Sequence, residues 1–106
     1  MNLTLTKEKD MKVIEDGHKY ELSNYNNLGP VMNAEDKEGQ EITFMKKVDG
    51  IIVHDGTTNE EVLRMLINRV RYLNSLQSCR ENSIAITKLE EAMMWLMRRT
   101  TLRVVQ

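Results

Sequence analysis

Two periods run along this chain, and they change over near residue 56. Before that point apolar and polar residues alternate in short runs. "KVIEDGHKYELSNY" holds two such runs on either side of Asp16-Gly17, the pattern of a β-hairpin. "NNLGPVMNAEDKEGQ" is broken by Asn26, Asn27, Gly29, Pro30 and Gly39 and reads as loop. "EITFMKKV" sets Ile42, Phe44 and Lys46 against Thr43, Met45 and Lys47, a half-buried strand. Asp49-Gly50 marks the next tight turn, and β-branched "IIVHDG" pairs back on that strand. The first half is therefore expected to be a small antiparallel sheet.

After residue 56 the spacing becomes helical. In "DGTTNEEVLRML", Thr57 or Thr58 can cap a helix, and Glu60 or Glu61 lies three residues on, as a capping box requires. From Val62 the apolar residues recur at Leu66, Val70, Leu73 and Leu76. "NSLQSCREN" interrupts that stripe. Ser78 with Glu81 repeats the capping-box spacing, so a second helix starts near Cys79 and runs to about Thr101. Two helices joined this closely form an αα-hairpin. The fold class is α+β within one domain, 1–106, with a flexible tail at 1–11, the sheet at 12–55 and the helical hairpin at 57–103.

The second helix carries more apolar surface than one stripe. Ala85, Leu89, Ala92 and Leu96 make the stripe, and Ile86, Met93 and Met97 widen it. Ile84, Met94 and Trp95 fall outside it. One face can pack on the first helix and the sheet. The other needs a cover, either the sheet wrapping over it or another subunit. The eight Met residues suit both arrangements, because Met fills irregular gaps and also lines adaptable surfaces.

Charge changes the picture more through its distribution than its total. The net charge of −1 argues against DNA binding. Residues 1–56 hold seven Lys, no Arg and eleven acids, whereas residues 57–106 hold seven Arg, one Lys and five acids. Arg presents a rigid fork that matches phosphate and stacks on flat rings, although it also simply suits helices. A single cysteine, Cys79, excludes an internal disulfide and suggests a reducing compartment. No apolar run is long enough to span a membrane, and "MNLTLTKEKD" has no apolar signal core, so a cytoplasmic protein is expected.

Catalytic constellations are scarce. His18, in a turn, reads as solvated, and His54 lies at a strand end; neither belongs to a zinc spacing. Cys79 has no base near it in sequence and reads as a structural thiol. Glu90 and Glu91 point about 100° apart on a helix and cannot act as a paired acid and base. No phosphate-binding glycine loop occurs. The expectation is a protein that is not an enzyme, with no catalytic residue, no metal and no cofactor. Binding groups are better represented. Arg98, Arg99 and Arg103 cluster on the last turns, where they also favour the helix dipole. Asn82 lies at the other end of the same helix, about 25 Å away. One nucleotide-sized ligand cannot touch both in one chain, but two antiparallel copies would bring Asn82 of one to Arg99 of the other.

"DGTTNEEVLRMLINRVRYLNSLQSCRENSIAITKLEEAMMWLMRRT" resembles the C-terminal helical hairpin of phage anti-defence nucleotide sponges, most specifically in "CRENSIAITKLEEAMMWL". Two groups share that hairpin: the first type of Thoeris anti-defence protein and the anti-CBASS cyclic-oligonucleotide sponges. The second group looks all-helical, so the sheet before "HDGTTNEEV" favours the Thoeris group. The resemblance covers residues 55–103; the sheet adds support by layout alone. It implies a protein that binds immune second messengers in the cytoplasm of the infected bacterium and does not cleave them. The messengers implied are glyco-cyclic ADP-ribose isomers, with a second kind of site for cyclic trinucleotides at three-fold interfaces. It also implies a homo-oligomer, at least a dimer and by family habit a hexamer built as a trimer of dimers, with no DNA or membrane partner. The messenger site in that family lies between subunits and uses an Asn at the start of the second helix and Arg near its end, matched here by Asn82, Arg99 and Arg103, with Arg98 beside them.

Other contacts follow from position. Phe44 and Met45 lie on the sheet and are candidates to cover an adenine. Thr57, Thr58 and Asn59 offer hydroxyls, an amide and free N–H groups at a helix start, either as an anion site or as a cap alone. Two rival functions stay open on sequence: an enzyme that cleaves the same messenger, using Asn82, Glu81 or His54, and a helical protein-interaction module whose arginines are merely solvated.

Overall fold

The computed structural model describes residues 11–24 and 39–105, with side chains up to residue 100. The expected tail and most of the Gly-Pro loop lie outside the described residues. The chain divides into two compact units, one ending at Thr57 and one beginning at Thr58.

The first unit is built from five short strands: β1 (Lys12–Glu15), β2 (Lys19–Leu22), β3 (Gln40–Thr43), β4 (Lys46–Val48) and β5 (Ile51–His54). β1 and β2 form the expected hairpin around Gly17, whose φ of 72° is open to glycine at little cost. The ladder shifts register between Val13 and Glu15, a bulge next to the turn. β3 pairs antiparallel with β2, which gives a sheet in the order β1-β2-β3. β4 and β5 form a separate two-stranded hairpin. Its turn residues, Asp49 (φ 52°) and Gly50 (φ 80°), both take the left-handed conformation that primed hairpin turns require.

The expected continuous strand at 41–48 thus breaks after Thr43. Phe44 leaves the ladder to bridge Thr57, and the chain resumes as β4 in the second sheet. The two sheets are each antiparallel, as the alternation requires, but they are separate.

The second unit is the αα-hairpin of α1 (Asn59–Leu76) and α2 (Arg80–Val105). Thr58 is the N-cap of α1, and its Oγ1 accepts from the Glu61 N–H at 3.2 Å. The Glu61 carboxylate turns to Arg64 at 2.6 Å. The cap of α2 differs from the expected Ser78. Cys79 takes that place: its Sγ accepts from the Asn82 N–H at 3.4 Å and its carbonyl from the Ser83 N–H at 3.2 Å. With Arg80 as the first helical residue, Cys79 has the N-cap position and Ser78 lies one residue too early to reach.

The seam between the helices also corrects the expected stripe on α1. Ile67 is the buried apolar side chain of the described residues, 4 % exposed. Val62, Leu63, Val70 and Asn74 flank it, half-buried. Leu66, Leu73 and Leu76 face outward, Leu76 at 67 % exposure. On α2, Ala85, Ile86, Leu89, Met93 and Leu96 are half-buried, while Ala92 is exposed. Arg71 and Glu90 pair across the hairpin. Ile84, Met94 and Trp95 lie off the seam and are exposed, Trp95 at 59 %. Exposed large apolar side chains occur on both units, including Ile51, Ile52 and Val53 on β5.

Candidate ligand-binding site

Two strand ends and the chain leaving β5 meet at Phe44. The Met45 N–H donates to the Thr57 carbonyl at 2.8 Å, and the Thr57 N–H donates to the Thr43 carbonyl at 2.8 Å. Three sequence candidates, Phe44, Met45 and Thr57, are therefore brought together by backbone pairing. Gly56 makes this approach possible. A Cβ there would lie 2.4 Å from the Thr43 carbonyl oxygen and 2.5 Å from the Phe44 carbonyl carbon, both rigid backbone. The Phe44 ring meets Tyr20 edge-on at 5.8 Å, and both Phe44 and Met45 are half-buried. The Phe44 ring thus has one edge partner already and offers a second surface of limited area.

Beside this bend His18 departs from expectation. It is not solvated but 6 % exposed, and its Nδ1 is buried without a hydrogen-bond partner. The turn explains the burial. The His18 N–H donates to the Glu15 carbonyl at 3.0 Å and its carbonyl accepts from the Phe44 N–H at 2.7 Å, which carries the ring inward. There it meets the His54 ring edge-on, 4.6 Å between centroids. Lys46 donates to Glu15 at 2.6 Å on the surface nearby. That bond holds the Glu15 carboxyl below its ordinary range, opposed by partial desolvation and aided by the positive charges of Lys46 and Lys19.

At the start of α1 the Thr58 hydroxyl is occupied as a cap, and its carbonyl accepts from the Val62 N–H at 3.2 Å. Asn59 is exposed. Glu60 and Glu61 stand in the same first turn, so the local charge opposes a bound anion.

On α2 the helix is continuous from Arg80 to Val105. Asn82 and Arg99 are thus held about 25 Å apart and about 100° around the axis. They do not meet within the protomer. Asn82 is half-buried, and Arg98 and Arg99 are exposed. Among the described residues, Arg64 and Arg71 pair with acids and neither Arg98 nor Arg99 does. Arg103 lies on the last turn of α2; its side chain is outside the described residues. Sequence reading passed over Asn74. It continues the inward stripe of Ile67 and Val70, and its Oδ1 accepts from the Cys79 N–H at 3.1 Å. The signal was present, since a polar residue on an apolar stripe at a helix end has to find a partner.

Among the described residues, no three His, Cys, Asp or Glu side chains group as metal ligands. No helix there is long and apolar enough to cross a membrane.

Comparison with known proteins addresses the hairpin and the strands before it. Residues 37–101 match the family model described as Acb2/Tad1, hairpin domain. The chain is also similar to a protein named Thoeris anti-defense 1 from Bacillus phage SBSphiJ7, 54% identical over 50 residues. That match covers 46% of this chain and 35% of the relative, so the chain spans about a third of the relative's length. The family match reaches back across β3, β4 and β5 and takes in α1 and most of α2. By that match, this chain belongs to the Acb2/Tad1 hairpin-domain family.

Proposed function

We propose that the chain is a phage anti-defence protein acting against Thoeris, and that it binds and sequesters glyco-cyclic ADP-ribose without degrading it. The observation that carries this reading is the 54% identity to a protein named Thoeris anti-defense 1. The family match, residues 37–101, takes in the part of the hairpin on which Asn82, Arg98 and Arg99 lie. Support from geometry is the unbroken α2, which keeps Asn82 from Arg99 within one chain and so favours a site shared by two antiparallel protomers. Arg98 and Arg99 have no acidic partner among the described residues, which leaves their guanidiniums free for a pyrophosphate. The exposed Ile84, Met94 and Trp95 supply the apolar face that such an assembly would bury.

In this reading no bond is made or broken. Two guanidiniums take the pyrophosphate through charge-assisted hydrogen bonds, each worth roughly 1.5–3 kcal/mol. Enclosure between subunits excludes water and slows release, where most affinity tuning lies. The assembly is a homo-oligomer, a hexamer made as a trimer of dimers, working in the cytoplasm of the infected bacterium. Cyclic trinucleotides are the second ligand class.

A capture-and-release assay tests the proposal. Protein is mixed with glyco-cyclic ADP-ribose, free ligand is filtered off, and the retained protein is heat-denatured before mass spectrometry. Intact ligand depleted and then recovered supports a sponge. Recovery as a linear product means an enzyme. Depletion of neither this messenger nor cyclic trinucleotides refutes sequestration and turns attention to a protein partner.

A further inference from the structure

The loop end of the hairpin carries an organised relay of hydrogen bonds. Each helix ends its inward stripe there in an asparagine: Asn74 on α1 continues Ile67 and Val70, and Asn82 on α2 precedes Ala85, Ile86 and Leu89. Both are half-buried. Between them stands Cys79, the cap of α2. Its backbone N–H donates to Asn74 Oδ1 at 3.1 Å, and its Sγ accepts from the Asn82 N–H at 3.4 Å.

The physical weakness of this cap is informative. A thiol is a poor acceptor beside the hydroxyl or carboxylate that caps most helices. Cys79 therefore cannot hold the first turn of α2 firmly by Sγ alone. Its own backbone must be fixed from the other side, and the Asn74 amide oxygen does that. The α1 cap has no need of such help, because Thr58 Oγ1 bonds the Glu61 N–H directly.

We infer that Asn74 is a positioning residue for ligand capture: through Cys79 it fixes the first turn of α2 and so the place of Asn82. The inference rests on the proposal that Asn82 contacts the messenger. Loss of the Asn74 bond frees the start of α2 to fray, and Asn82 then has to be ordered when ligand binds. An ordinary hydrogen bond lost in this way corresponds to a fall in affinity of roughly two- to tenfold.

The test uses the full chain and glyco-cyclic ADP-ribose as probe. Asn74→Leu keeps the size and removes the acceptor; Asn74→Asp keeps an oxygen that can accept from the Cys79 N–H. Affinity is measured alongside the hydrogen-exchange protection of the Cys79 and Asn82 amides in the ligand-free protein. The expected result is weaker capture and lost protection in Asn74→Leu, with both restored in Asn74→Asp. Equal capture by Asn74→Leu and the native protein overturns the inference, as does equal weakening in both variants, since the acceptor would then not matter. Should Asn74→Leu fail to fold, Asn74→Ala serves, because alanine removes the acceptor and favours the helix. It is expected to weaken capture to a similar degree, and native affinity in it overturns the relay. Failure of the native protein to capture the probe is a different outcome: it removes the functional reading, while the exchange data still report on the relay.

Discussion

His18 and Glu15 show how little sequence distance says about environment. They lie three residues apart in one turn, yet one is buried and the other exposed. Because the His18 Nδ1 has no partner, the imidazole is held by packing and not by a bond at that atom. Replacing it by an apolar group of similar volume removes an orphaned polar atom along with the ring contact to His54. His18→Leu should therefore change unfolding free energy by less than about 1 kcal/mol, whereas His18→Asp, a buried charge, should cost clearly more. Denaturant titration decides it, and a leucine variant that loses several times that amount would show an unrecognised bond. For Glu15 the sign follows from its lowered pKa. The folded protein releases that proton more readily than the unfolded chain. The pair with Lys46 thus adds stability above the ordinary glutamate range, and this is lost as pH falls through the lowered value. Acidification should destabilise the native protein more steeply than Glu15→Gln; parallel curves would contradict the assignment.

Among the elements, the helical hairpin was readable from spacing and caps, and its helices run close to the expected bounds. Which stripe of α1 faces inward was not. Leu66, Leu73 and Leu76 are as apolar as Leu63, Ile67 and Val70, so a period of 3.6 fits two neighbouring faces equally well. Only the partner helix selects between them. The same ambiguity explains the strand at 41–48: alternation runs through Phe44 unbroken, and the break comes from Thr57, which is distant in sequence. Among the candidate residues, Phe44, Met45 and Thr57 were named from position and share a bend; on the hairpin, Asn74 escaped notice because its partner is a backbone N–H beyond the helix end. A direct check on the seam is Ile67→Ala. It should cost about 2–5 kcal/mol, and Leu66→Ala much less. A larger loss at Leu66 than at Ile67 would mean that the expected stripe had been right and the seam is misplaced.

For the whole molecule, the surplus apolar surface is the feature to explain. Trp95 and Met94 are more than half exposed on a helix that already has a packed seam. The subunit interface proposed above would cover them. In that case Trp95→Lys should lower the assembly mass by light scattering while leaving helicity by circular dichroism intact. Unchanged mass would place the interface elsewhere. The central claim is one capture site built from two chains, with Asn82 from one and Arg99 from the other. The most direct test is complementation. Asn82→Ala and Arg99→Ala are each made alone and then co-expressed with different tags, and the doubly tagged assembly is purified. Each variant alone should capture no glyco-cyclic ADP-ribose, and the mixed assembly should regain part of native capture, because one of its sites then holds both native residues. A mixed assembly as inactive as its parents, when the native protein captures the ligand, would contradict a site shared in this way.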